Sequence, residues 1–139
     1  MLYEEIKVGD TASFEKTISK EDVFAFAGVT GDFNPLHIDE THAENTRFGK
    51  RIAHGMLTGS LFSTVFGMKL PGEGAIYLSQ TLSFLAPVFF GDTIKATAVV
   101  KEKLGKGRVK FDCVATNQDG EVVVRGEAVL LAAKERPNG

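Results

Sequence analysis

The 139 residues contain a single cysteine, Cys113. An intrachain disulfide and a multi-cysteine metal site are therefore excluded. No apolar run reaches about 18 residues, so no membrane-spanning helix is expected. The opening MLYEEIKVGD has no basic stretch leading into an apolar one, so it does not read as a secretory signal. Neither sign of charge is in large excess: 16 Lys+Arg face 18 Asp+Glu, for a formal net charge of -2. That balance argues against a dedicated nucleic-acid binder. Internal repeats, low-complexity tracts and interdomain linkers are also missing. What is present is an ordinary globular mixture, 43% hydrophobic and 24% charged. A chain of this size can bury a core and shape a pocket without staples. The expectation is one cytoplasmic domain spanning 1–139 that acts on a small molecule, with a polar tail, 134–139, that frays.

The second half of the chain alternates. Ile94, Ala96, Ala98 and Val100 share one parity; Val109, Phe111, Cys113 and Ala115 do the same; Val122, Val124, Ala128 and Leu130 follow. Alternation of this kind marks strands with one buried face. Gly105-Lys106-Gly107 and Asn117-Gln118-Asp119-Gly120 supply turns between them. Residues 92–133 thus predict a three-stranded antiparallel meander. A fourth strand is expected over 76–86 and a fifth over 11–18.

The first half has helical spacing. Ser19 is an N-cap with Asp22 three residues on, and Val23, Phe26 and Ala27 line one face. Asp39 can cap a short polar helix. From His54 to Leu70, apolar residues surround the helix axis, which predicts burial on all sides. Together these elements make an α+β layout, a curved antiparallel sheet of about five strands around one long buried helix. Such a sheet leaves edges open. With the apolar run Val88-Phe89-Phe90 still to be covered, a homodimer is expected.

Two polar clusters could carry chemistry. In Gly31-Asp32-Phe33-Asn34-Pro35-Leu36-His37, a carboxylate and an imidazole stand five residues apart. On a loop they can converge to hold and deprotonate a water. The same residues would equally serve as an Asx-turn beside a lone polar histidine. In His54-Gly55-Met56, a helix N-terminus presents free N–H groups, and Gly55 leaves them open to an anionic or carbonyl oxygen. Here too a plain alternative exists, with His54 capping and Gly55 packing closely. His42 reads as solvated. His37, Asp39 and His42 lack a metal-site spacing, so no metal is expected. Arg47, Lys50 and Arg51 form a small basic group, either phosphate-facing or merely solvated. Cys113 falls on the core parity and reads as inert.

The run Phe26 to His37 closely resembles the hydratase 2 signature of the MaoC-like family, in particular its (R)-specific enoyl-CoA hydratases of polyhydroxyalkanoate pathways. The resemblance continues through Ile52-Ala53-His54-Gly55-Met56-Leu57 and Ser60-Leu61-Phe62-Ser63, and reaches Gly126-Glu127-Ala128-Val129. It implies a hot-dog fold. It places Asp32 and His37 as a catalytic dyad and the Gly55 N–H on the thioester oxygen. Asn34 and Ser63 match supporting polar positions, and Phe66 and Leu130 match acyl-pocket positions whose bulk implies short acyl groups. The implied substrate is an acyl-CoA thioester, hydrated without metal or redox cofactor. An acyl-CoA thioesterase, an acyl-carrier-protein dehydratase and a non-enzymatic acyl-CoA-binding module are the alternatives.

Overall fold

A computed structural model describes residues 1–135. The tail expectation therefore falls mostly on 136–139, outside the described residues. The alternating segments form β4 (Thr93–Gly105), β5 (Arg108–Thr116) and β6 (Val122–Leu131), paired antiparallel in sequence. The apolar parities of β4 and β5 named above are all buried. On β6, Val123 is buried against the alternation. It is the extra residue where Thr116 pairs with Val122 and Ala115 with Val124, a local bulge that turns one more side chain inward.

β1 (Thr11–Thr17) pairs with β4. The strand expected over 76–86 is broken into β2 (Ile76–Gln80) and β3 (Ser83–Phe84), both paired with β6. The break has a steric partner. A Cβ on Gly126 would lie 1.8 Å from the Thr81 carbonyl oxygen, so only glycine lets the chain cross there. The sheet order is β1-β4-β5-β6-β2, with β3 further along β6.

The helices start as their caps dictate. Ser19 and Asp22 exchange reciprocal bonds at the head of α1 (Lys20–Thr30), and Gly31 ends it in the left-handed region at φ 82°. Asn34 caps the single turn α2 (Pro35–Ile38), and Asp39 caps α3 (Glu40–Glu44). The long helix is α4 (Gly55–Met68). Leu57, Leu61, Phe62, Val65 and Phe66 bury its inner face against β1, β4, β5 and β6.

Burial of α4 on all sides does not occur. Met56, Ser60, Ser63 and Gly67 form an exposed stripe at i, i+4, i+7 and i+11, and Met68 is exposed beside it. One sheet can cover only one side of a helix. The edge strand β2 flanks the stripe and leaves Ile76, Tyr77 and Leu78 exposed, with Phe84 and Leu85 beyond. The Val88-Phe89-Phe90 run is not the open patch. Val88 is in the core, and the half-buried rings of Phe89 and Phe90 lie under Lys50 and Arg51. No helix of the described residues is long and apolar enough to cross a membrane.

Candidate active site

The Asp32 loop is built by its own side chains. The Thr30 hydroxyl bonds the Phe26 carbonyl and accepts from the Asp32 N–H at 3.1 Å. Asp32 Oδ1 accepts from the Asn34 N–H at 3.1 Å, an Asx-turn. The Asx-turn reading of Asp32 is therefore observed, and it engages only one of the two carboxylate oxygens. One carboxylate oxygen shapes the turn. The other, Oδ2, lies 4.0 Å from His54 Nε2 at the mouth of the site. Pro35 then starts α2, whose one turn carries His37 inward.

His37 is held by its far nitrogen. Nδ1 lies 2.7 Å from the Ile52 carbonyl oxygen. A carbonyl only accepts, so the proton is on Nδ1 and Nε2 keeps a free lone pair. Burial pushes the pKa of His37 below its ordinary 6.5. The Ile52 bond opposes that shift, a charge on His54 adds to it, and Asp32 opposes it. A buried neutral imidazole with a lone pair left on Nε2 is the form a general base needs.

His54 stacks on His37 at 3.9 Å between centroids, with 26° between the planes. Its Nε2–H donates to the Asp32 carbonyl at 2.9 Å. It stands at the N-cap of α4 yet makes no side-chain capping bond, so capping is not its role. Asp32, His37 and His54 have their ligand-type atoms within 4.8 Å of one another. That is a different trio from His37, Asp39 and His42, and Asp39 instead caps α3 while His42 is exposed. The trio fits a metal poorly. Stacked rings aim their lone pairs side by side instead of at one point, and His54 Nε2 is already committed as a donor.

Gly55 is the first residue of α4, where N–H groups have no partner within the helix. With Asp32, His37 and His54 it lines a cavity of about 300 Å³. Two neighbours adjoin it across Met56. One, of about 400 Å³, is walled by Thr58 and by 84–88. The other, of about 370 Å³, lies between the outer stripe of α4 and β2. The roomier cavity beside Thr58 is thus not the one that holds the polar groups, although Gly55 borders both.

The remaining expected residues separate. Asn34 spends its side-chain oxygen on α2 and lies exposed beside the site. Ser63 lines the β2 cavity, two turns of helix along from Gly55, and not the cavity of Asp32 and His37. Phe66 is 1% exposed and lies behind that cavity, edge-on to its wall residue Tyr77 at 5.4 Å and tilted on Phe111 at 4.8 Å. Leu130 pairs with Tyr77 across β6 and is buried. Burial pushes the Cys113 thiol up to about 11, which keeps it unreactive. The residue that sequence reasoning undervalued is His54. Its only signal was position, first in a three-residue helix-start cluster with nothing to show which way the ring turned.

A curled antiparallel sheet with one long helix across its inner face is the hot-dog architecture, here with an acid and an imidazole gathered at the helix N-terminus. The R-hydratase PhaJ1 of Pseudomonas aeruginosa, in its unliganded form, has the same fold, with a TM-score of 0.93 and 46% identity over 96% of this chain and 86% of that one. Residues 5–122 match the family described as MaoC like domain, and the chain belongs to that family. An (R)-specific enoyl-CoA hydratase of Rhodospirillum rubrum is 44% identical over 93% of this chain and 90% of its own length. A 3-hydroxybutyryl-CoA dehydratase of Methylorubrum extorquens is also 44% identical, over 97% of this chain and 86% of its own. The names of these relatives have in common the addition or removal of water.

Proposed function

We propose that the protein is an (R)-specific enoyl-CoA hydratase, a hydro-lyase that reversibly converts trans-2-enoyl-CoA into (R)-3-hydroxyacyl-CoA. The observation that carries the reading is one cavity lined by His37, whose Nε2 is not used by the Ile52 bond, by Asp32, whose Oδ2 is not used by the turn, and by Gly55 at the N-terminus of α4. The thioester oxygen docks on the Gly55 N–H, which draws electron density from C3 and holds the charge that builds up in the enolate-like transition state. A water held between Asp32 and His37 attacks C3. His37 Nε2 is the lone pair placed to take its proton, and one proton returns to C2, so the addition balances. Delivery from the one face that the two groups define sets the (R) hand.

The substrate is taken to be a short acyl-CoA, about four to six carbons. Tyr77, backed by the packed rings of Phe66 and Phe111, supports this by walling the β2 cavity. A homodimer formed along β2 is part of the same reading, since an edge strand with exposed Ile76, Tyr77 and Leu78 beside an open helix stripe favours a second copy. Sedimentation should give about twice the chain mass at micromolar concentration; an active monomer would overturn this. A cytoplasmic location, with Cys113 a reduced thiol, completes the proposal.

The test is crotonyl-CoA. Loss of the conjugated enoyl absorbance without release of free thiol is expected. Thiol release would identify a thioesterase, binding without turnover a non-enzymatic module, and activity confined to acyl-carrier-protein substrates a dehydratase of that class.

A further inference from the structure

We infer that His54 is a positioning residue: one side chain fixes both members of the candidate dyad, the Asp32 loop through its Nε2–H and the His37 ring through stacking. The inference rests on the hydration reading above. Four observations support it. His54 is 3% exposed, at the head of α4. Its Nε2–H reaches the main-chain oxygen of Asp32 at 2.9 Å. Its ring lies between Phe26 of α1, 5.0 Å away, and His37 of α2, 3.9 Å away. Its Nδ1 is buried and has no hydrogen-bond partner.

The last observation decides between fold maintenance and function. A buried ring nitrogen without a partner, whether protonated or not, costs free energy that an apolar ring of the same shape would not incur. If packing alone were needed, phenylalanine would serve better. Helix capping does not explain the residue either, because its side chain makes no cap bond. What an imidazole adds over a phenyl ring is the donor to the Asp32 carbonyl. That bond ties the turn carrying Asp32 to the helix whose N-terminus would bind the thioester oxygen. Misplacing a reacting group by about 1 Å costs on the order of 10²-fold in rate.

Charge provides a second readout. Asp32, on the loop after α1, and His54, at the start of α4, are the ionisable groups that face His37. His54 lowers the pKa of His37, so removing its imidazole should raise it.

The experiment compares the parent with His54→Phe, which keeps a ring and loses the donor, and His54→Gln, whose amide nitrogen can replace Nε2. Crotonyl-CoA kinetics across pH would be run beside NMR titration of the His37 ring, assigned through His37→Gln. With His54→Phe, kcat should fall about 10- to 100-fold with KM within about twofold. His54→Gln should recover most of the loss. Both should raise the His37 pKa. A His54→Phe protein with parental kcat and parental His37 titration overturns the inference. So does a His54→Gln protein as impaired as His54→Phe, or, if the Phe variant does not fold, a His54→Gln protein whose His37 titrates as in the parent. A parent that binds but does not hydrate crotonyl-CoA would instead sink the functional reading, and the NMR titration would still decide the coupling of His54 to His37.

Discussion

Replacing Asp32 by Asn separates chemistry from scaffolding more cleanly than any other single change. The Asx-turn survives, because an amide oxygen can accept from the Asn34 N–H as Oδ1 does now. The charge that is lost is exposed, 52% by side chain, and its His54 partner lies at 4.0 Å. An ion pair that open contributes about 0–1 kcal/mol. The melting temperature should therefore move by no more than about 3 °C. The expected effect on rate is far larger. General acid–base catalysis supplies roughly 10²–10⁴-fold, or about 3–5 kcal/mol of barrier. A shifted His37 cannot mimic that loss. Asp32 raises the His37 pKa, so its removal lowers the value further and leaves His37 neutral above its ordinary 6.5. The assay is crotonyl-CoA hydration at about pH 8 beside a thermal melt. kcat should fall within that range with KM little changed. Adding His37→Gln should make matters only slightly worse, because groups acting as a unit are not additive. Parental melting together with a rate within about threefold of the parent would refute the role assigned to Asp32.

Gly55→Ala would place a Cβ 2.7 Å from the Phe84 ring. That ring is half-exposed and can swing aside, so stability should change by about 1 kcal/mol or less, while crowding of the helix N-terminus should cut kcat by about 10²-fold; unchanged kinetics would remove Gly55 from the site. Phe66→Ala should cost about 3–5 kcal/mol because the ring is fully packed, and should raise activity on octenoyl-CoA relative to crotonyl-CoA. A parent protein that already handles both equally would contradict the short-chain reading. His37 has a folded pKa below its ordinary 6.5, so unfolding takes up protons between the two values. The stability it contributes is fully present above pH 6.5 and is lost as pH falls through the folded value. Denaturant titrations of the parent and His37→Gln should diverge in that window, and the acid limb of kcat/KM should lie below 6.5.

The strands and caps were legible in the sequence because they depend on near neighbours. Period-2 alternation set β4 and β5, and the Ser19–Asp22 and Asp39 side chains marked helix starts they cap directly. The pairing of Asp32 with His37 was legible as a motif, since both sit on one short loop and turn. The resemblance to MaoC-like hydratases supplied the expectation that they act as a dyad. Other features were decided only by tertiary structure, because they depend on what lies across space. The break between β2 and β3 follows from the Thr81 carbonyl meeting Gly126, 45 positions along the chain. The outer stripe of α4 stays open because a single sheet can cover one side of a helix, whatever the hydropathy of the other. His54 turns away from its own helix toward an oxygen 22 residues earlier. Composition and spacing fix what a segment can become; which distant group its side chains meet is set when the sheet curls and brings α1, α2 and the head of α4 to one point.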